Sequence, residues 1–523
     1  MASLKAPRCL TDVPLGGTLP DDVHAVSVSM PEWDHVESYS QGCPKLHAAL
    51  PSGYPRFVYH HYVVALNQWV RDTYVNDPTK LAYVLPSYDV ATRCAAFMQV
   101  SYPEAMSLTS IDLGICGAFA IVVPAAGLKT FKSFWQHSGE ITTSRMAKHI
   151  LDFKDRKEAA PRKAMAGTSI HTALKERVAS LYPRIGAADV LLYPCGMSAI
   201  FAAFRMAKAL HATPRQGRKI VLFGFPYLDT LKIMRRPEWR GAADDFVFYP
   251  HGNSDEMDAI DQLESIGAIF TEFPTNPLLH SVDLKRLAAI ARRHNAILIV
   301  DDTIGSYNVQ VLDAGADVVA TSLSKIFTCA CTATGGSLVV NPASTWAAAV
   351  HTSLASDEYL FEDDCVELLA MSKDVRERLR RVNANASIIA SRFASHPQVQ
   401  AVYYPKFIDS DLYKANLTHP DDDSDAFGPL MSVVLRGGAA AAATFYDALN
   451  VAKGPSLGTN FTLSVPYTIL AHYDELEYVA SCGLDRNLVR FSIGLEDVDE
   501  IWGYLAVAFE AAATSCGGGS IPL

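Results

Sequence analysis

The middle of the chain alternates short apolar runs with segments of helical periodicity. After Asp283, the apolar residues of 284–291 recur at i, i+3, i+4 and i+7, which predicts a helix capped by this aspartate. A second helix is predicted over 198–210. Strands that alternate with helices form a mostly parallel sheet with helices on both faces, and ligands bind beyond the carboxyl ends of its strands. The apolar runs predict strands at 189–193, 219–225, 268–270, 297–300 and 317–320.

The N-terminal part has a different pattern. Residues 1–80 contain many prolines among aromatic residues, and this predicts an irregular arm that docks on another surface. Residues 81–128 are apolar segments of no clear type. Their most apolar stretch, 115–128, is shorter than the ~20 residues that span a bilayer, and we interpret it as a buried core helix.

The C-terminal part begins near 340–346. It is predicted to contain a long helix over 375–393, a solvated acidic loop at 421–425, short strands, and a final helix with an apolar face. We therefore expect three units: an N-terminal arm over 1–80, a large domain over 81–345, and a smaller C-terminal domain over 346–523.

Composition narrows the class of partner. The 523 residues are 49% hydrophobic and carry 45 basic and 56 acidic side chains, so the formal charge is −11. This balance argues against nucleic acid, because phosphate contacts require clustered Lys and Arg. The ten cysteines lack framework or zinc-site spacing, so reduced thiols and no metal are expected. Neither a signal peptide nor a membrane span is recognised, and a cytoplasmic protein is the expectation.

Polar residues that core packing would not select follow several of the strands. Cys195-Gly196-Met197 precedes a helix, where glycine permits close approach of a ligand and free N–H groups bind an anion. Tyr227 is either a core residue or a stacking partner for a planar ligand. Asn276, within the segment 272–277, either caps a turn or hydrogen-bonds a ligand.

Two further segments place charged residues after apolar strands. Asp301 and Asp302 would repel each other if both were buried, unless a cationic ligand nitrogen or a metal lies beside them. Lys325 is either a surface lysine or a buried one whose lowered pKa suits a nucleophile and base. The hydroxyls of Ser322 and Ser324, just before this lysine, suit a phosphate.

Together these segments fit one ligand, pyridoxal 5′-phosphate (PLP). Its phosphate would bind at the Gly196 helix and its ring would stack on Tyr227. Asp301 would meet the pyridinium nitrogen, and Lys325 would form the Schiff base.

With these segments, the chain resembles the cystathionine γ-synthase group, the Cys/Met-metabolism PLP enzymes of fold type I. The resemblance implies an α/β fold: a large domain whose mostly parallel sheet is sandwiched by helices, and a smaller α+β C-terminal domain. Cys195 stands where the family has Ser, Asp302 stands where it has Asn, and the long form looks like fungal members. The motifs are Tyr54-Pro-Arg56, Cys195-Gly-Met197, Glu272-Phe-Pro-Thr-Asn-Pro277, Val300-Asp-Asp-Thr303, Ser322-Leu-Ser-Lys325, Ser456-Leu-Gly458 and Arg490-Phe-Ser-Ile-Gly-Leu-Glu-Asp497.

The resemblance also implies roles for individual residues. Lys325 is the Schiff-base lysine and proton shuttle, and Tyr227, rather than Phe223, stacks on the ring and assists proton transfer. Arg490, helped by Ser456, binds the substrate α-carboxylate in bidentate fashion. The implied cofactor-binding residues are Tyr54, Arg56, Cys195, Gly196, Met197, Tyr227, Asn276, Asp301, Thr303, Ser322, Ser324 and Lys325.

In the family, the Tyr-x-Arg motif serves the site of the neighbouring subunit. Tyr54 and Arg56 are therefore expected to reach a neighbour's cofactor phosphate, in a homodimer or homotetramer with shared sites.

The reaction that the resemblance implies is γ-replacement on an O-activated L-homoserine, such as O-acetyl-L-homoserine. It proceeds through a vinylglycine-type intermediate that the thiol of cysteine attacks. Alternatives are a carbon or nitrogen nucleophile in specialised metabolism, a γ- or β-lyase, and a partner protein without turnover. Segment 326–334 departs from the family pattern in a region that borders the active site there, and this leaves the nucleophile open.

Overall fold

The structure is a computed structural model that describes residues 10–102, 110–156, 163–211, 218–240, 245–419 and 426–515. The acidic loop predicted at 421–425 lies outside these residues.

The N-terminal part contains regular elements, so the prediction of an irregular arm up to residue 80 is wrong. Val63, Leu66 and Val70 are buried along one side of a 14-residue helix, a helical spacing that the many prolines nearby obscured. The elements are β1 (Thr18–Leu19), β2 (Ser27–Val28), α1 (Trp33–Ser40), α2 (Pro44–Ala48), α3 (His61–Tyr74), β3 (Lys80–Leu85), α4 (Tyr88–Ser101), β4 (Ser110–Asp112) and β5 (Phe119–Pro124).

The stretch interpreted as a core helix, 115–128, contains strand β5 instead. A short continuous apolar run fits a buried strand as well as a buried helix, and periodicity alone does not separate them. β5 pairs antiparallel with both β3 and β4. Helix α3 packs against β3, so this small unit extends across the boundary expected at residue 80.

The predicted parallel sheet forms the centre of the chain. Strands run in the order β6-β12-β11-β10-β9-β7-β8, and β12 is antiparallel to its neighbours. The elements of this part are α5 (Leu128–Ser138), α6 (Ser144–Phe153), α7 (Ser169–Ala179), β6 (Val190–Tyr193), α8 (Gly196–His211), β7 (Lys219–Phe223), α9 (Leu228–Arg235), α10 (Pro237–Arg240), β8 (Phe246–Tyr249), α11 (Ser254–Asp261), β9 (Ile266–Glu272), α12 (Leu284–Arg293), β10 (Ile297–Asp301), β11 (Val318–Ser322) and β12 (Gly336–Val340).

Both faces of this sheet are buried, which explains why its strands read as unbroken apolar runs. Along β10, Leu298 and Val300 belong to one hydrophobic cluster, whereas Ile297 and Ile299 belong to another. The side chains of a strand alternate between faces, so each cluster is the core on one side of the sheet.

The C-terminal part is α+β, as predicted. Its sheet has the order β13-β14-β17-β16-β15. Its elements are α13 (Ala347–Leu354), α14 (Glu362–Met371), α15 (Val375–Ser395), β13 (Val399–Tyr403), α16 (Ser410–Lys414), β14 (Leu430–Leu435), α17 (Gly438–Ala448), β15 (Ala452–Lys453), β16 (Leu463–Pro466), α18 (Tyr467–His472), α19 (Leu476–Ser481), β17 (Val489–Ser492) and α20 (Val498–Ser515). Within the described ranges, none of these helices is long and apolar enough to cross a membrane.

The turn from β6 into α8 touches β12 directly. A Cβ atom on Gly336 would lie 2.2 Å from the carbonyl oxygen of Cys195 and 2.9 Å from the Gly196 nitrogen. Only a residue without a side chain permits this approach, because the contacted atoms belong to the backbone and cannot turn aside.

We therefore expect Gly336→Ala to destabilise the protein by about 1–3 kcal/mol, the usual cost of overpacking. Gly503→Ala is the matched control. It lies exposed in α20 with nothing within 4 Å of the added Cβ, and it should stabilise by about 0.5–1 kcal/mol. Urea midpoints of the two variants measure the difference. A Gly336→Ala midpoint equal to that of the wild type would contradict the close approach.

Candidate active site

A cavity of about 480 Å³ lies at the carboxyl edge of the central sheet. β9, β10 and β11 are parallel and end here at Glu272, Asp301 and Ser322. Most of the residues predicted from the sequence line this cavity: Tyr54, Arg56, Gly196, Met197, Tyr227, Asn276, Asp301, Thr303, Ser322, Lys325, Ser456 and Arg490.

Cys195 and Ser324, both predicted to bind the cofactor, do not line the cavity in the described structure. The Cys195 thiol donates to the carbonyl of Gly139 at 3.3 Å, and its N–H donates to Ser198. The Ser324 hydroxyl accepts from the Gly335 N–H at 3.0 Å. Both side chains are committed to holding neighbouring backbone.

Phe223, the less favoured candidate for the ring-stacking position, is fully buried within β7 and belongs to the hydrophobic core.

Lys325 lies in the segment Leu323–Phe327 that follows β11, at a kink where its own backbone is not helical (φ −103°, ψ −123°). Its Nζ donates to the Ser456 hydroxyl at 3.0 Å and lies 4.3 Å from the centroid of the Tyr54 ring. Burial lowers the pKa of Lys325 to about 7, and the positive charge of Arg490 contributes to the lowering. A large fraction of this amine is therefore neutral near pH 7, as a nucleophile and base requires.

Arg490 is a buried guanidinium without a carboxylate partner among the described residues; it is 5% exposed. Its Nη1 donates to Asn276 Oδ1 at 3.0 Å and its Nη2 donates to the Ser456 carbonyl at 2.9 Å. Its Cζ lies 4.3 Å from the Tyr467 ring centroid. Burial lowers the pKa of Arg490, because no anion compensates for the lost water. An incoming carboxylate would supply that anion.

Two carboxylates meet at the ends of neighbouring strands, where Asp301 is directly opposite Glu272. Burial raises the pKa of Asp301 to about 6, and burial with the charge of Asp301 raises the pKa of Glu272 well above its usual range. Glu272 accepts from the backbone N–H groups of Tyr227 at 2.6 Å and Asn276 at 3.2 Å. It therefore fixes two segments that line the cavity.

Tyr54 and Arg56 line the cavity of their own chain. The expectation that they reach the site of a neighbouring subunit stays a prediction. Arg56 forms a buried ion pair with Asp229 and donates to the Tyr227 hydroxyl at 2.6 Å. The adjoining Pro55 carbonyl accepts from Trp135 at 3.0 Å.

Sequence reasoning assigned no role to Asp229, Glu272 or Tyr467. Asp229 is fully buried and pairs with Arg56. In the sequence it is a charged residue only two positions after Tyr227, and this was an available signal. Glu272 is the first residue of the motif 272–277, and this position was the available signal. Tyr467, whose hydroxyl accepts from Asn276 at 3.1 Å, comes after β16 in a segment with no local marker.

Segment 326–334, which was expected to border the site and influence substrate choice, contributes no side chain to the described cavity wall. Cys329 and Cys331 are buried, and Val26 donates a backbone hydrogen bond to the Cys331 carbonyl at 2.9 Å. Cys331 nevertheless adjoins the site, because it is within hydrogen-bond reach of the Ser456 side chain and close enough to Lys325 for the two groups to interact electrostatically.

The residues present fit PLP. The Ser322 hydroxyl is buried without a hydrogen-bond partner among the described residues, and it adjoins the start of α8 at Gly196, where helix N–H groups favour an anion. A phosphate would satisfy both. Across the cavity, the desolvated carboxyl of Asp301 suits a cationic ring nitrogen.

A sheet of this topology, with a lysine of lowered pKa and a buried carboxyl at its carboxyl edge, is the arrangement of a PLP-dependent enzyme of fold type I. Comparison with known proteins agrees. The profile of the Cys/Met metabolism PLP-dependent enzyme family matches residues 142–510, and that of the fungal trans-sulfuration enzyme N-terminal domain matches residues 62–143. The chain belongs to the Cys/Met metabolism PLP-dependent enzyme family and is cystathionine γ-synthase-like.

Similar proteins share nearly the whole length of the chain. A cystathionine gamma-synthase of Neurospora crassa is 33% identical over 95% of this chain and 98% of its own. The cystathionine gamma-synthase-like enzyme iboG2 of Amanita muscaria is 30% identical over 97% and 98%. The crystal structure of cystathionine gamma synthase from Xanthomonas oryzae pv. oryzae in complex with cystathionine covers 67% of this chain and 87% of its own, with TM-score 0.58 and 25% identity.

The buried carboxyl of Asp302 makes the stability of the protein depend on pH. It is fully buried and accepts from Tyr182 at 2.9 Å and Thr321 at 2.5 Å. Burial raises the pKa of Asp302 from 3.8 to about 7. Between about pH 4 and 7, the unfolded chain has released the proton of this carboxyl, whereas the folded chain still keeps it. The free energy of unfolding therefore falls as the pH rises through that window.

Asp302→Asn removes the charge and restores the family residue. We expect it to stabilise the protein at pH 8 by roughly 1–3 kcal/mol, with a smaller effect at pH 5, where the wild-type carboxyl is protonated. Thermal midpoints of wild type and variant at both pH values measure this. A gain equal at pH 5 and pH 8 would contradict the protonation argument.

Proposed function

We propose that this chain catalyses γ-replacement on an O-activated L-homoserine, such as O-acetyl-L-homoserine, with a thiol as the incoming nucleophile. The observation that carries the proposal is the placement of Lys325 and Arg490 on the two ends of Ser456. The hydroxyl of Ser456 accepts from the lysine and its carbonyl accepts from the arginine. An α-amino acid matches this pair, because its amine would face Lys325 while its carboxylate faces Arg490.

Pyridoxal 5′-phosphate would be held at the inner end of the cavity. Ser322 and the N-terminal turn of α8 would bind its phosphate, Tyr227 would lie on its ring, and Asp301 would pair with its nitrogen. When bound, the cofactor supplies an electron sink for a carbanion at the carbon that bears the substrate amine. Asn276, held between Glu272 and Arg490, would bind the ring hydroxyl.

Lys325 is the group that would move protons in this reaction. Its Nζ would accept the α-proton of the substrate, because burial makes the neutral amine available near pH 7. The hydrogen bond to Ser456 directs the amine toward the substrate-carboxylate side of the cavity.

Arg490 would bind the substrate carboxylate as a fork. The guanidinium is held on two sides by Asn276 and Ser456 and is stacked on Tyr467, so little side-chain freedom is lost when the substrate binds. A buried cation that lacks a counter-ion gains more from an incoming anion than an exposed one does.

The names of two related proteins support the reaction type. The Neurospora crassa protein is named a cystathionine gamma-synthase, and the Xanthomonas oryzae structure holds cystathionine. Both similarities favour a thiol nucleophile over a carbon or nitrogen nucleophile and over simple elimination.

The test is a competition assay. Holoenzyme is incubated with O-acetyl-L-homoserine, cysteine, and equal concentrations of an amine and a carbon acid, and products are identified by mass spectrometry. We expect cystathionine and acetate as the main products. Lys325→Ala should lose the yellow colour of the bound cofactor and all turnover, while Lys285→Ala, an exposed lysine on α12, should change neither.

Two outcomes would contradict the proposal. Negligible cystathionine beside a carbon- or nitrogen-linked product would replace the thiol with another nucleophile. Rapid release of α-ketobutyrate without any added nucleophile would make the protein a lyase.

The homo-oligomer implied by the family resemblance stays a prediction, and we propose that each N-terminal part completes the site of its own chain. The buried pair of Arg56 and Asp229 supports this, together with the hydrogen bonds that attach Val26 and Met30 to Cys331 and Lys453 of the same chain.

A complementation experiment shows whether the N-terminal part of a chain, here called the arm, contributes Arg56 to the site of its own chain or to that of a neighbour. Arg56→Ala and Lys325→Ala chains carrying different tags are co-expressed, and mixed oligomers are purified on both tags. If each arm serves its own chain, both kinds of site remain defective and activity stays at the level of the separate variants. Recovery of activity in the mixed oligomer would show arm exchange, because one site would then have both residues intact.

A further inference from the structure

The cavity wall also contains a histidine and a carboxylate that the proposed function leaves unused. His472 ends α18, and Glu475 follows one turn later; both line the cavity wall together with Lys232 from α9. None of the three belongs to a motif found in the sequence.

Glu475 holds the histidine in one orientation. Its Oε1 is 2.9 Å from His472 Nδ1, and its Oε2 accepts from Lys232 Nζ at 3.3 Å. The hydrogen bond from His472 and the nearby Lys232 lower the pKa of Glu475 to about 2, so this group is an ionised carboxylate at neutral pH. An ionised carboxylate only accepts hydrogen bonds, so the hydrogen lies on Nδ1 of the imidazole.

When the imidazole carries this single hydrogen, the other ring nitrogen, Nε2, is its acceptor. It is buried and has no hydrogen-bond partner among the described residues, and the residue as a whole is 2% exposed. Buried polar atoms are almost always paired, so an unpaired acceptor on a cavity wall calls for a ligand that donates a hydrogen.

The position of the ring relates this acceptor to the substrate subsite. The His472 ring lies 5.9 Å from the Tyr467 ring, centroid to centroid, and Tyr467 in turn stacks on Arg490. His472 is therefore separated from the guanidinium proposed to bind the first substrate by one aromatic ring, that of Tyr467. A second substrate bound beside the first in the same cavity would lie near this side chain.

We propose that His472, oriented by Glu475, is the general base that deprotonates the incoming thiol. The inference rests on the proposed function, since only a replacement reaction needs a proton acceptor for a nucleophile. Lys325 is not free for this role, because it handles the protons of the first substrate.

The S–H bond breaks and its proton moves to Nε2, while the sulfur electron pair forms a bond to the γ-carbon of the first substrate. The double bond between the γ- and β-carbons breaks, its π pair moves to the side of the β-carbon, and the protons removed from the first substrate earlier are returned to it. The γ-carbon has already lost its oxygen leaving group, which departed as carboxylate with the C–O electron pair. The imidazolium then releases the proton to solvent through the cavity mouth, so thiol and ester become thioether, carboxylate and one proton.

Separate measurement of the two halves of the reaction tests the role. Acetate release in a single turnover reports the steps before the nucleophile attacks, and thioether formation reports the attack itself. His472→Gln should leave acetate release at the wild-type rate and slow thioether formation from an aliphatic thiol by about 10²–10⁴-fold, the usual contribution of a general base.

A series of thiols separates this role from a structural one. Aliphatic thiols are largely protonated at pH 7, whereas thiophenols are ionised and need no base. The defect of His472→Gln should therefore shrink as the thiol becomes more acidic. Glu475→Gln should show the same pattern in weaker form, and Glu477→Gln, an exposed matched control on α19, should resemble wild type.

The outcomes separate the two proposals. Wild type that releases no acetate from O-acetyl-L-homoserine would overturn the proposed function itself. Wild type that works normally, with His472→Gln equally fast or equally slowed for all thiols, would overturn the base role alone. If His472→Gln does not fold, Glu475→Gln against the thiol series decides, and an unchanged dependence on thiol acidity contradicts the proposal.

Discussion

The site depends on a direct backbone contact between the turn that opens α8 and the ends of β11 and β12. Gly336 lies against the Cys195 carbonyl and Gly196 lies against Ser322, at separations that no side chain could fill. This contact brings a helix N-terminus, a hydroxyl without a partner among the described residues and the kinked segment of Lys325 to one place. Because backbone cannot yield as side chains do, the anion-binding end of the cavity is rigid.

Charge is distributed unevenly with respect to that contact. The chain has a formal charge of −11, yet Arg56, Lys325 and Arg490 converge on one cavity. Arg56 is neutralised by Asp229, whereas Arg490 has no anion among the described residues and Lys325 responds with a lowered pKa. The cavity is thus locally cationic within a protein of negative net charge, and the net charge does not report this.

The sequence was informative where local pattern and chemistry coincide. Five of the seven strands of the central sheet, and the helices that begin near Ser198, Asp283 and Val375, were predicted to within a few residues, because apolar runs and caps are local signals. Strands β8 and β12 were not predicted. The predicted site residues met at the sheet edge because carboxyl ends of parallel strands meet there. The N-terminal helices and strand β5 were missed, since prolines and short apolar runs do not specify the type of element.

The sequence by itself determined the alternation of strands and helices in the central part and the chemical class of the site, since Lys325 and Asp301 are charged residues that directly follow apolar runs, and Arg490 lies in a motif that resembles one of the family. Only the tertiary structure decided which groups share the cavity wall. It turned Cys195 and Ser324 onto neighbouring backbone, brought Tyr54 and Arg56 to the site of their own chain, and joined His472 to Glu475 and Lys232. The physical reason is that burial and pairing depend on what packs opposite a residue, and those partners are distant in the sequence.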